Sequence, residues 1–138
     1  MALRQTYLSM KDRLPKNAEY VLVMHGRGND EIAPSKELLD DFNEWKAKFK
    51  PGEGYPTAFH YAWAKSNYEA RFREQVKNDP AAVARLKDLA ERAKTRDIFL
   101  ICYEGNDKPC HRKLLLKIAR EEFGAPVDDS AFVPPAKR

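Results

Sequence analysis

The apolar positions of this chain follow two kinds of pattern. Some form short unbroken runs, and others recur every three or four residues between polar neighbours. The unbroken runs are YVLVM, within EYVLVMH (residues 19–25), and the segment DIFLICYE that starts at Asp97. A run without alternation suits a strand covered on both faces. RQTYLSM (residues 4–10) adds a third segment of strand-like composition. Between it and EYVLVMH stands KDRLPKNA, whose Pro15 and Asn17 read as a turn or loop.

The periodic segments predict helices. In APSKELLDDFNEWKAKFK, Ser35 is placed to cap the free amides of the first turn, and Leu38, Phe42, Trp45 and Phe49 recur on one side. KPGEGYP then breaks the chain with Pro and Gly. A second helix is expected from about Tyr61 to Lys77, with Tyr61, Tyr68, Phe72 and Val76 along one side. Asp79 followed by Pro80 starts a third helix as a cap and a first-turn proline. Its core side would be Val83, Leu86, Leu89 or Ala90, and Ala93. A fourth helix is expected from about Pro109 to Phe123, ended by Gly124 and Pro126. A short extended piece around SAFVPP precedes a basic tail at about 134–138.

Short buried strands alternating with helices predict an α/β fold. The expectation is one layered domain over residues 1–138, with a mainly parallel sheet flanked by helices. In such sheets ligands sit at the carboxyl ends of the strands. Both HGRGND, where Gly26 and Gly28 permit unusual backbone, and CYEGNDKPCHR would lie there.

Composition narrows the setting. With 138 residues, 43% hydrophobic and 33% charged, the chain reads as a soluble globular domain able to build one core without disulfides. The opening MALRQTYLSMKDRLP has no apolar segment of signal-peptide length, and no run is long enough to span a bilayer. No membrane association is expected. Two cysteines without a secretion signal predict a cytoplasmic protein, in which paired cysteines are more often chemical than structural. The net charge of +4 is spread along the chain and not gathered into an arm. A spread excess tolerates an anionic small molecule or nucleic acid as partner without being a nucleic-acid footprint. Oligomeric state is not encoded in any visible pattern.

The chemistry concentrates in ICYEGNDKPCHRK, residues 101–113, which holds both cysteines and one of the three histidines. If the strand continues through Cys102 and Glu104, the two point to one side. With Pro109 as first helical residue, Cys110, His111 and Arg112 fall in the first turn. There the free amides and the helix dipole favour an anion or a thiolate. Arg112 adds a planar grip for phosphate or carboxylate. The candidate catalytic groups are therefore Glu104 or His111 for proton transfer and Cys110 as nucleophile. Arg112, Arg27 and Cys102 are the candidate substrate-binding residues. Blander roles stand beside these: Cys102 as a core residue, Glu104 paired with Arg112 or Lys108, Cys110 as an inert helix-start residue, and His111 bonded to the loop.

The same residues suggest three sharper alternatives. A phosphatase-type loop needs an arginine six residues after the strand-end cysteine, and position 108 is Lys108, so that match fails. Zinc would draw on Cys102, Cys110, His111 and His25, yet adjacent helical side chains diverge and no CxxC pair exists, so no metal is assigned. A Cys102–Cys110 disulfide would close the short loop, without a redox spacing motif. No cofactor is called for.

The motif resembles the domain of unknown function 488 (DUF488) family: a strand ending in cysteine-x-glutamate, a polar loop, then Cys-His-Arg opening a helix. Here that is LICYEGNDKPCHRKLLLKIA. LVMHGRGNDEIAPSKELLDDF is similar to the family's YeaO-like branch, and NYEARFREQV followed by LKDLAERAKTRDIFLICYE comes in the expected order. The resemblance covers roughly Val21 to Ala119. It implies an α/β domain in which Cys102, Glu104, Cys110, His111 and Arg112 converge on a pocket, and it supplies no reaction. VMHGRGND stands where that branch would have an Asp-Arg pair and a Trp-Pro-Arg-Gly loop. His25 lies near the place of the aspartate, and Arg27 is a loose equivalent of a family arginine.

Two functions follow as expectations. One is an enzyme acting on a phosphorylated or otherwise anionic substrate, a nucleotide or nucleic acid among them. The other is a non-catalytic nucleic-acid or protein-binding module, for which the motif is structural. Its sequence support is FHYAWAKSNYEARFR, which interleaves Tyr61, Trp63 and Tyr68 with Lys65, Arg71 and Arg73. That same pattern also describes an amphipathic helix with its aromatics turned inward.

Overall fold

A computed structural model describes residues 1–103, 105 and 108–134. Glu104 and most of the basic tail lie outside the described residues. The apolar run after Asp97 becomes β3, Ile98–Cys102, and every one of its residues is buried. It is buried because it is the middle strand. β1 (Leu3–Tyr7) and β2 (Glu19–Leu22) pair with it on either side, both parallel, in the order β1-β3-β2.

Strand alternation divides the residues of β3 between two environments. Ile98, Leu100 and Cys102 join Leu3, Val21 and Val23 in the main core. Phe99 and Ile101 point to the opposite face, where Phe132 packs edge-on against Phe99 at 5.0 Å between ring centroids. The C-terminal segment is attached to this sheet: Asp128 N donates to Leu3 O at 2.9 Å, and Val127 forms a single bridge to Leu3. The only sheet bridge of this segment among the described residues falls just before SAFVPP, at Val127. No strand forms at 130–134.

The first expected strand is shorter than RQTYLSM, because the chain turns into a 3-10 segment at Leu8–Arg13. The first helix is as expected: α1, Lys36–Lys48, begins where Ser35 Oγ accepts from Leu38 N at 3.1 Å. Leu38 and Phe42 are buried, while Trp45 and Phe49 pack at its far end against Tyr61.

The single helix expected over Tyr61–Lys77 is two helices. α2 spans Ala58–Lys65 and α3 spans Tyr68–Lys77. Between them Asn67 takes a left-handed backbone (φ 53°, ψ 44°), a conformation asparagine tolerates better than most side chains. The break begins α2 earlier, capped by Thr57 Oγ1 on His60 N at 3.2 Å, and redirects the aromatic face. α4, Pro80–Arg92, is capped by Asp79 as expected. Its buried side is Ala82, Leu86, Leu89 and Ala90, continued by Ala93, whereas Val83 is only half-buried.

α5 spans His111–Phe123 and is closed by Gly124 in the left-handed conformation (φ 64°). It does not begin at Pro109. Cys110 is extended (φ −152°, ψ 149°) and occupies the cap position, so the first helical residue is His111. Seven of its residues, from His111 to Ala119, are buried, because α5 lies against the sheet, α3 and α4. No helix among the described residues is long and apolar enough to cross a membrane.

Candidate functional site

Parallel pairing puts the segments after β2 and β3 at the same end of the sheet. Val23 N, just past β2, still donates to Ile101 O at 2.9 Å. β3 then ends at Cys102, and the buried start of α5 returns beneath the same end. Four of the motif residues meet there. Cys102 and Cys110 are joined as a disulfide, their Cα atoms 7.7 Å apart.

His111 stands beside the second sulfur. Its Nε2 lies 2.6 Å from Val23 O, and its Nδ1 lies 3.7 Å from Cys110 Sγ. A carbonyl only accepts, so Nε2 carries the ring proton and Nδ1 presents its lone pair to the sulfur. Burial, reinforced by the Arg112 charge and opposed by the Val23 bond, pushes the imidazole down from 6.5 to about 4. His111 is thus neutral at pH 7. The edge of Phe72 packs on it with ring centroids 5.6 Å apart.

Arg112 points the other way and is fully buried. Nη1 donates to Cys102 Sγ at 2.7 Å, Nε to Gln5 Oε1 at 3.0 Å, and Nη2 reaches Gly105 O at 3.4 Å. Its guanidinium lies behind the sulfurs and contacts β1, β3 and the loop. A positive charge in this position favours a thiolate on Cys102. Lys113 Nζ donates to Lys108 O at 3.0 Å, a second tie between α5 and the loop.

In front of the sulfurs lies a cleft of about 140 Å³. Cys110 and His111 form part of its wall, together with His25 and the aromatic rings of Phe42, Phe59, Trp63, Tyr68 and Tyr103. Trp63 and Tyr68 are stacked, 4.2 Å apart and 18° from parallel. Cations surround this wall. Lys46 and Lys108 each sit 5.9 Å from the Phe59 ring centroid. Arg27 donates through Nη2 to Tyr103 Oη at 3.1 Å and lies over the same ring. Larger cavities exist, one of about 470 Å³ between α3, α4 and α5, but none of them is lined by Cys102, Cys110, His111 or Arg112. The small cleft is the one that meets the reactive groups.

Of the six residues singled out from sequence, Cys102, Cys110, His111 and Arg112 are brought together. Arg27 stands at the rim, and Glu104 lies outside the described residues. Sequence reasoning missed the cleft walls. Phe42 read only as a core position and Tyr68 as a core position or a stacking residue of a separate surface, and nothing in their spacing showed that they would turn toward Cys110. In FHYAWAKSNYEARFR the rings are turned inward: Tyr61 and Tyr68 are buried, and Arg71 is paired with Asp41 at 2.6 Å. Among the described residues no three His, Cys, Asp or Glu side chains converge as a metal site would require.

A search of curated proteins and of solved structures returns no match. One family model does match, described as the active DUF488-N3 subclade, and it aligns with residues 13–122. That span contains β2, β3 and the start of α5, with β1 outside it, and it shows that the chain belongs to the DUF488 family.

Proposed function

We propose that the protein is an enzyme that binds an anionic substrate carrying a planar ring, a nucleotide or a nucleotide unit of nucleic acid, in the cleft beside Cys110. The observation that carries this reading is the composition of the wall. A cysteine sulfur and an imidazole lone pair adjoin five aromatic rings, and cations stand at the edge. Rings of this kind stack on bases, worth about 1–3 kcal/mol each, and the cations suit a phosphate.

In this reading reduced Cys110 is the nucleophile, and His111 Nδ1 accepts its S–H and orients it. Glu104 supplies or takes a proton. Arg27 and Lys108 hold the anion, while Arg112 keeps the local potential positive from behind Cys102. The bidentate phosphate grip first expected of Arg112 passes to Arg27, because Arg112 is buried and engaged with Gln5 and Cys102. The cytoplasmic setting and the YeaO-like affinity of the Leu22–Phe42 stretch belong to the same reading.

The test is a titration of the reduced protein with inorganic phosphate and with purine and pyrimidine nucleoside monophosphates, followed by NMR. Amide shifts at residues 109–113, with aromatic shifts at Trp63 and Tyr103, are expected. If none of these ligands perturbs those signals, the enzyme reading fails. The binding-module alternative then rests on oligonucleotide affinity that weakens steeply with salt.

A further inference from the structure

Cys102 and Cys110 differ in more than position. Both sulfurs are buried within the fold, but only Cys110 adjoins the cleft, with His111 Nδ1 at 3.7 Å. Cys102 is the last residue of the central strand, fully buried, with the Arg112 guanidinium at 2.7 Å. In a disulfide the sulfur that is reached is attacked, and the sulfur whose negative charge is better stabilised leaves. The two requirements fall on different residues here.

We propose that Cys102 and Cys110 form an exchangeable dithiol–disulfide couple whose partner is a low-molecular-weight thiol or disulfide entering through the aromatic cleft and reacting at Cys110. An incoming thiolate attacks Cys110 Sγ, forming a mixed disulfide and breaking the Cys102–Cys110 bond. The electron pair passes to Cys102 Sγ, where Arg112 meets it. A second thiolate attacks the outer sulfur of the mixed disulfide, releasing the small disulfide and freeing Cys110. Each protein sulfur ends with a proton from one of the two thiols consumed. The small disulfide drives the same steps in reverse. When oxidised, the site has no thiol at the cleft wall, so the couple also sets whether Cys110 is open to a substrate. It uses the proposed catalytic cysteine but requires no nucleotide, so either idea can fail alone.

The experiment uses the full chain. Intact-mass spectrometry follows wild type through redox buffers of reduced and oxidised 2-mercaptoethanol, and a reversible mass change of about 2 Da, one bond per chain, is expected. Cys102→Ser, treated with the same disulfide, should accumulate a mixed disulfide mapped to Cys110. Cys110→Ser should react at least about tenfold more slowly, as expected for a thiol closed off from solvent. Should either variant fold poorly, partly reduced wild type pulse-labelled with N-ethylmaleimide reads the same order, Cys110 before Cys102. Equal reactivity of the two cysteines, or a wild type that stays a dithiol in every buffer, overturns the proposal.

Discussion

His111 is fixed on both of its ring nitrogens, donating from Nε2 to Val23 O at 2.6 Å while Nδ1 faces Cys110 Sγ at 3.7 Å. The contact links the segment after β2 to the start of α5 and places a neutral imidazole on the sulfur. Its consequences are chemical and thermodynamic.

The thermodynamic consequence concerns pH. The folded protein holds His111 at about 4, while an unfolded histidine titrates near 6.5. Between these values the unfolded chain binds more protons, so stability is full above about pH 6.5 and falls as the pH drops toward 4. The loss from this one group is roughly 3 kcal/mol. Urea unfolding of wild type and His111→Gln at pH 7, 5.5 and 4 should show a steeper decline in wild type. Parallel declines would place the pH sensitivity elsewhere.

Arg112 and Arg27 separate a structural from a functional role. Arg112→Ala removes a fully buried side chain and leaves Gln5 Oε1 without that donor. A loss of roughly 3 kcal/mol or more is expected in chemical denaturation. Arg27 is exposed, so Arg27→Ala should change stability by less than about 0.5 kcal/mol. Its effect should appear in weaker nucleotide binding, steepened by nothing but the loss of one rim cation.

Trp63 tests the aromatic wall. It is half-buried and stacked on Tyr68 with one side toward the cleft. Trp63→Ala should weaken binding of a nucleoside monophosphate by about tenfold or more, the scale of one stacked base. Affinity for inorganic phosphate should be unchanged. Equal losses for both ligands would mean that the wall collapses without the indole.

Asn67 tests the break between α2 and α3. Its φ of 53° is the one positive value at a non-glycine position among the described residues. Asn67→Gly should fold with stability within a few tenths of a kcal/mol of wild type, and Asn67→Ala should lose about 1 kcal/mol. Thermal melts resolve that difference, which corresponds to a few degrees.

These residues also show how far the sequence can be read. β3 and α1 were legible because each carries its own signal, an unbroken apolar run in one and Ser35 ahead of a periodic stripe in the other. The α2–α3 break was not, since Tyr61, Tyr68, Phe72 and Val76 keep helical spacing across Asn67, and a left-handed residue leaves no mark on that spacing. The meeting of Cys102, Cys110, His111 and Arg112 followed from a strand-loop-helix motif. The burial of Arg112 did not follow, because arginine is ordinarily solvated and its partner Gln5 lies 107 residues away. The cleft was hidden for the same reason: four of its five rings come from α1, α2 and α3, far from the motif in sequence, and only Tyr103 belongs to the motif stretch.

The left-handed turn at Asn67 lets α2 and α3 share one wall of the cleft, and the site is thereby divided by origin. The reactive side is made by β3 and α5, whose residues are packed into the sheet and tolerate little change. The facing side comes from α1 and α2 with the first turn of α3, helices outside the sheet whose Phe42 and Tyr68 are themselves buried in the core. In the proposed reading, ligand preference belongs to helices from the middle of the chain and reaction chemistry to β3 and α5. A relative with the same Cys-His-Arg helix start and a different set of rings would be expected to keep the chemistry and accept another ligand.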